Sequence, residues 1–447
     1  MNNNAFIKDV FAKTRMSAGS SSGVEVFAEK SNDTTIVWSQ GKLEDFYISE
    51  SQGLGIKIIR EGKTGFAYMN KFDGLAADGL ISAALKNCES LQPDKFVSLA
   101  VPRKTPMCSE LDICDNSFGK EPAVKKIDTI KKMEKFSLSN GRIKSVIRAI
   151  YSESLGETQI INTNGLELSC RGTVFSYGIS CLSAEGSDTQ VGGESSVTRL
   201  SAGLDFEKIT AEAVKNAVEL LGAKRIKTGN YPTVFNQNVA CEFLSLLESS
   251  FSAFAVQKNV SMLKNRINEK VFSDTLNVVD DGTLHGGVAT SSFDDEGTPT
   301  QGTVMVEKGV LKNYLYDLYT ANKDGVKSTG NSSRGFSGVS RPSATNIFIQ
   351  SGSLSPDVII KQMNSGLLVT ETMGMHNADA VSGEFSVGIN GFFVENGVKK
   401  FPVHGITIAG NIFDLFKNIA AAGNDLRFYG SVGSPSLLVN GLRVSGE

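Results

Sequence analysis

Residues 23–30, Gly23-Val24-Glu25-Val26-Phe27-Ala28-Glu29-Lys30, open a run in which apolar and polar residues alternate. The pattern recurs in Thr35-Ile36-Val37-Trp38-Ser39, Leu43-Glu44-Asp45-Phe46-Tyr47-Ile48, Leu54-Gly55-Ile56-Lys57-Ile58-Ile59 and Thr64-Gly65-Phe66-Ala67-Tyr68. A period of two places every second side chain on one side of a sheet. The pairs Asn32-Asp33, Gln40-Gly41 and Glu61-Gly62 favour turns and separate these runs, so the segment reads as an antiparallel meander of short strands with one buried face.

Outward from this meander the spacing predicts a helix over residues 74–85, a lysine-rich helix over 123–136 and a return to alternating strands over 142–197. Asp205 stands as N-cap of a further helix with the stripe Val214, Ala217, Val218 and Leu221, closed by Gly222. The polar, glycine-bounded stretch 222–230 marks a boundary. It divides the chain into an N-terminal α+β domain, residues 1–222, and a C-terminal β-rich domain, residues 231–447. The second domain should open with a strand over 231–235 and a helix over 239–254. Val306-Glu307-Lys308-Gly309-Val310-Leu311-Lys312 and Val394-Glu395-Asn396-Gly397-Val398-Lys399-Lys400 both read as hairpins, too few to make a repeat protein. Asn411 should cap a helix carrying Ile412, Leu415, Phe416 and Ile419, with Gly423 closing it before strands over 426–429 and 436–444. The fold class is α+β, an antiparallel sheet with helices followed by antiparallel hairpins and a few helices.

Composition narrows the function classes. The chain has 447 residues with 45 Lys+Arg against 48 Asp+Glu, an ordinary globular balance with no basic excess for nucleic acid. Lys125, Lys126, Lys131, Lys132 and Lys135 are not interleaved with aromatics and read as a solvated helix face. No apolar run approaches the roughly 20 residues of a membrane span, and the first residues lack an export signal, so a cytoplasmic location is expected. Six scattered cysteines without a C-x-x-C pair read as reduced thiols, mostly buried.

Neither a phosphate loop nor a dinucleotide loop is present, Gly53-Leu54-Gly55 lacking its third glycine, and no G-x-S-x-G elbow occurs. The histidines His285, His376 and His404 lack metal-ligand spacing; a zinc site built from all three distant residues is the remaining arrangement. The densest carboxylate cluster is Phe293-Asp294-Asp295-Glu296-Gly297-Thr298-Pro299, after Asp280-Asp281-Gly282. It suits acid–base work or a hard cation, and equally a polar turn.

Several motifs of the second half, in order, resemble the TldD/PmbA family of metallopeptidases, also described as modulators of DNA gyrase. They are Thr275-Leu276-Asn277-Val278-Val279-Asp280-Asp281-Gly282, Phe293-Asp294-Asp295-Glu296-Gly297-Thr298-Pro299-Thr300-Gln301, Ser328-Thr329-Gly330-Asn331, Gly383-Glu384-Phe385-Ser386-Val387-Gly388, Val394-Glu395-Asn396-Gly397, Ile406-Thr407-Ile408-Ala409-Gly410-Asn411 and Gly423-Asn424-Asp425-Leu426. The meander fits the same family. TldD-like members carry a His-Glu, three residues, His motif on a helix, and a C-terminal cysteine ligand. Here the corresponding stretch is Leu244-Ser245-Leu246-Leu247-Glu248-Ser249, so Leu244, Ser245 and Ser249 stand where His, Glu and His are expected, and residues 430–437 hold no cysteine. The chain is similar in this to the PmbA (TldE) branch. Leu244, Leu247, Phe251 and Phe254 instead form an apolar stripe.

The resemblance implies a subunit with no metal, cofactor or catalytic residue of its own. It would pair with a metal-bearing TldD-like chain, or with itself, through its β-rich half, and help enclose unfolded or extended peptides. The alternatives are a self-sufficient homodimeric peptidase using Asp294, Glu296 or Glu384 with His376 nearby, and a regulatory peptide-binding protein linked to gyrase control. Asp294, Glu296, His376 and Glu384 are the candidate cleft residues. No direct contact with nucleic acid or membrane is implied.

Overall fold

A computed structural model of the chain describes residues 3–447. After helix α1 (Asn3–Ala18) come three strands, β1 (Gly23–Ser39), β2 (Lys42–Arg60) and β3 (Lys63–Met69). Helices α2 (Gly74–Ser90) and α3 (Ala123–Leu138) precede β4 (Ile143–Asn162), β5 (Glu167–Glu185) and β6 (Asp188–Thr198), and α4 (Phe206–Glu219) ends this half. All six strands form one antiparallel sheet in the order β3-β2-β1-β4-β5-β6.

The meander has fewer and longer strands than expected. β1 runs straight through Asn32-Asp33, because Asn32 lies opposite Glu50 on one side and Leu155 on the other. Two flanking ladders satisfy the backbone and override the local turn preference. The other two turns form as read, with left-handed backbone at Gln40-Gly41 (φ 48° and 83°) and Glu61-Gly62 (φ 53° and 76°). Strands near 20 residues reach roughly 60 Å, too long for one core. Accordingly α1 and α2 cover one end around Val26, Leu54 and Ile56, while α3 and α4 cover the other around Trp38, Val146 and Tyr177. Asp205 Oδ1 accepts the Lys208 N–H as N-cap of α4.

The second half begins with β7 (Gly229–Phe235), α5 (Gln237–Glu248) and the short α6 (Ala253–Gln257). It continues with β8 (Val278–Asp281), β9 (Gly302–Glu307), β10 (Val310–Leu311), α7 (Leu318–Asp324), β11 (Ser332–Ser333), β12 (Arg341–Pro342), β13 (Ile347–Ile349) and α8 (Pro356–Met363). Last come β14 (Gly366–Met373), β15 (Glu384–Glu395), β16 (Val398–Asn411), α9 (Ile412–Lys417), β17 (Ile419–Ala422), β18 (Arg427–Tyr429), β19 (Val432–Ser434) and β20 (Leu437–Ser445). Two six-stranded mixed sheets result, β16-β15-β14-β7-β20-β17 and β10-β9-β8-β13-β19-β18. Helix α5 packs against strands of both, and its Phe243 ring stacks on Phe235 and meets Phe385 edge-on. The fold is α+β, with an antiparallel N-terminal sheet and a β-rich C-terminal half. No helix among the described residues is long and apolar enough to cross a membrane.

Three further readings are corrected. The helix expected over 239–254 breaks at Ser252, whose backbone is extended (ψ 122°), because the Ala253 N–H donates to Leu315 O at 2.9 Å instead of continuing the helix. Helix α9 stops at Lys417, and Ile419 opens a strand that pairs with Val439. The cysteines are not all free: Cys108 and Cys170 form a disulfide with Cα atoms 6.0 Å apart, a contact across 62 residues that sequence spacing does not show.

Residues 334–340 supply one of several contacts between the halves, beside those of Arg199 with Gly287, Tyr319 with Asp94 and Arg427 with Glu212. Arg334 inserts beside β1, donating from Nη2 to Glu25 Oε1 at 2.7 Å and lying 4.4 Å over the Phe27 ring. The Phe336 N–H donates to Glu29 Oε2 at 2.8 Å. Gly53 and Gly55 of β2 make room for this loop: a Cβ on Gly53 would lie 2.3 Å from the Phe336 ring, and one on Gly55 2.4 Å from Phe336 O. Two glycines too few for a dinucleotide loop are thus required for close backbone approach.

Candidate functional site

Two neighbouring cavities share a wall, one in the seam between the halves and one within the C-terminal half. One, of about 610 Å³, lies between β2, β3 and α2 on one side and α6 and α7 on the other. Its walls include Phe66, Phe254, Tyr319, Lys57, Glu296 and Arg341. The second, of about 430 Å³, is bordered by Ser245, Glu248, Ser249, Phe254, Arg341 and Ser343. Phe254 and Arg341 border both, and the Arg341 guanidinium lies 4.3 Å over the Phe254 ring.

The end of α5 is therefore a cavity wall, and its composition decides what it can hold. Leu244 is wholly buried in the core with Leu247 and Phe251 and does not face the opening, whereas Phe254 lies beyond the helix break and does. Ser245 and Ser249 are exposed towards the cavity, Ser245 Oγ donating back to Cys241 O at 3.0 Å. Ser249 begins a tighter 3₁₀ turn. Glu248 Oε1 accepts the Ala344 N–H at 3.3 Å, and burial pushes its pKa up. A buried leucine and two serine hydroxyls do not make the imidazole or thiolate donor set a catalytic zinc requires. Among the described residues no three His, Cys, Asp or Glu side chains are grouped to hold a metal ion.

Asp294 and Glu296 come together, with different surroundings. Asp294 is buried. Its Oδ1 accepts the N–H groups of Glu296 (3.0 Å) and Thr298 (2.9 Å), and its Oδ2 that of Ser332 (3.0 Å). Burial, then the neighbouring Glu296 charge, hold its pKa well above the usual carboxylate range. With its oxygens engaged by backbone, Asp294 organises the loop that carries Glu296. Glu296 Oε2 accepts the Leu318 N–H at the start of α7 (2.9 Å), and Oε1 accepts Ser340 Oγ–H (3.0 Å) with Lys57 Nζ at 3.8 Å. Burial raises its pKa against the pull of Lys57. Asp295 is raised to about 6, also by burial, although the Arg334 N–H donates to it.

The other candidates lie elsewhere. His376 sits in a short exposed 3₁₀ turn, and exposed Glu384 Oε1 accepts Asn411 Nδ2–H at 2.9 Å; neither borders the two cavities. His285, within 3.5 Å of Asp112, and His404 are also exposed and do not approach the metal-motif positions. Sequence reasoning missed Lys57, Phe254 and Arg341, which are distant in the chain: Phe254 and Arg341 meet within the C-terminal half, and docking brings Lys57 to the same cavity.

Three family models match the chain in succession: PmbA/TldA metallopeptidase domain 1 over residues 24–88, the central domain over 117–221 and the C-terminal domain over 228–446. The chain is 34% identical to an uncharacterized protein of Methanocaldococcus jannaschii, covering 93% of this chain and 95% of that one. It is 25% identical to the metalloprotease PmbA of Escherichia coli O157:H7, covering 97% and 94%. A crystal structure of a proposed modulator of a DNA gyrase from Thermotoga maritima superposes with a TM-score of 0.91 at 28% identity, covering 99% of this chain and 100% of that one. TldE from Thermococcus kodakarensis shares the fold, with a TM-score of 0.88 at 22% identity and coverage of 99% and 100%.

Proposed function

Given that the chain belongs to the PmbA/TldD metallopeptidase family, we propose that it is the PmbA/TldE-type subunit of a two-component peptidase complex. Its role is to help form the chamber that receives unfolded or extended peptides during proteolysis or peptide maturation. The metal-bearing chemistry belongs to a TldD-like partner, with self-pairing as the state adopted without one.

One observation carries this reading. The helix end that bears the family's metal motif in TldD-like chains is here a cavity wall with Leu244 turned into the core and Ser245 and Ser249 facing the opening. The helix and the cavity persist while the ligand set does not. Asp294, the alternative acid, is occupied by three backbone donors, which counts against a self-sufficient carboxylate mechanism. Elemental analysis of the purified chain tests the reading: it should carry far less than stoichiometric zinc or iron. About one tightly held metal per chain, lost on mutating His285, His376 or His404, would contradict it.

A further inference from the structure

We infer that the larger cavity is a receptor for a peptide carboxylate, a proposal that rests on the peptide-chamber reading and assigns that chamber a substrate preference. Four cationic side chains, Lys57, Lys258, Lys323 and Arg341, border it, against one carboxylate, Glu296. Lys57 is engaged with that carboxylate at 3.8 Å. Lys258, Lys323 and Arg341 form no ion pair among the described residues. Asp94 and Asp324 stand behind the wall, bonded to Tyr319 and Gln257, so the charge at the opening itself is that of three cations without an ion pair, which favours an anion. Phe66, Phe254 and Tyr319 supply apolar walls beside them, so the site fits a carboxylate attached to an apolar residue better than a free inorganic ion.

Arg341 gives the site its direction. Its guanidinium is held over the Phe254 ring and by Nη1 donation to Ser340 O at 2.8 Å, leaving further N–H groups for a carboxylate. Because Arg341 and Phe254 also border the smaller cavity, a peptide anchored by its carboxylate in the larger one extends past Arg341 over Ser249 and Ser245. Both a C-terminal carboxylate and a glutamate side chain present this chemistry.

Calorimetry on the full chain with N-acetylated, unstructured Gly/Ser/Leu peptides separates the sources. The peptides carry a free C-terminal carboxylate, a C-terminal carboxamide, or a carboxamide with one internal glutamate. At least one carboxylate form should bind on the order of tenfold tighter than the uncharged carboxamide. Which one does identifies the source. Arg341→Gln, or the exposed pair Lys258→Gln with Lys323→Gln, should remove that preference, while Lys132→Gln on α3 should not. The lysine pair decides the matter if the arginine variant fails to fold. Equal binding of the three peptides, no binding of any, or a preference untouched by the lysine pair overturns the inference. If the chain fails to discriminate yet supports cleavage with a partner, the subunit role stands and the receptor falls; discrimination without any supported cleavage gives the reverse.

Discussion

Replacing Arg334 with Met tests one anchor of the docking that forms the larger cavity. The Arg334 and Glu25 side chains are 4% and 1% exposed, so their 2.7 Å pair is shielded from water, and Glu25 Oε2 already has no hydrogen-bond partner. Deleting the guanidinium leaves a buried carboxylate alone, and also removes a bond to Asp295 O (3.0 Å) and the contact with the Phe27 ring. Breaking one side of a buried pair costs about 3–5 kcal/mol. Removing both charges in Glu25→Gln/Arg334→Met should cost less than the sum of the single changes, by roughly 2 kcal/mol. The single tryptophan, Trp38, donates to Glu134 within the N-terminal half, so its fluorescence follows that half in urea, while far-UV circular dichroism follows all strands. In Arg334→Met the fluorescence transition should move to lower urea and separate from the dichroism transition. A loss below about 1 kcal/mol, coincident transitions, or additive single changes would show that this buried pair does not anchor the two halves.

Asp280 and Asp295 have folded pKa values raised by burial to about 6, against 3.8 for the free side chain. The folded state therefore holds protons that the unfolded state has released, so these groups stabilise the fold fully below about pH 4 and lose that contribution as pH rises through about 6. Melting temperatures between pH 4 and 7 should show this downward component, and Asp295→Asn should reduce it. Gly53→Ala should destabilise by roughly 1–3 kcal/mol through its clash with the Phe336 ring, and should cost little in a Phe336→Ala background, as denaturant midpoints will show. Leu244→His with Ser245→Glu and Ser249→His should not create a peptidase, because the C-terminal ligand is absent. Each polar group left unsatisfied where Leu244 packs should cost roughly 1–3 kcal/mol.

Local chemistry was legible in the sequence and long-range assembly was not. Asn396-Gly397 and Lys308-Gly309 adopt the paired left-handed turns their hairpins require, and Asp205 and Asn411 cap the helices assigned to them. These depend on neighbouring residues alone. Asn32-Asp33 misled because its backbone is satisfied by strands more than a hundred residues apart, and Ser252 because its neighbour bonds to Leu315. Motif order gave the family resemblance and the degenerate helix. The smaller cavity arises where residues 341–344 fold back on the end of α5, and the larger one where β2, β3 and α2 of the first half meet α6 and α7 of the second, with Lys57 and Glu296 3.8 Å apart; no periodicity encodes either.

The most direct test is cleavage of an unfolded peptide by the purified chain alone, by a TldD-like subunit alone and by the two mixed, each with and without a chelator. This chain alone should give negligible cleavage, and the mixture should cleave faster than the TldD-like subunit alone and stop in chelator. Cleavage by this chain alone at a rate comparable to the mixture, persisting in chelator, would place the chemistry in its own side chains and contradict the account.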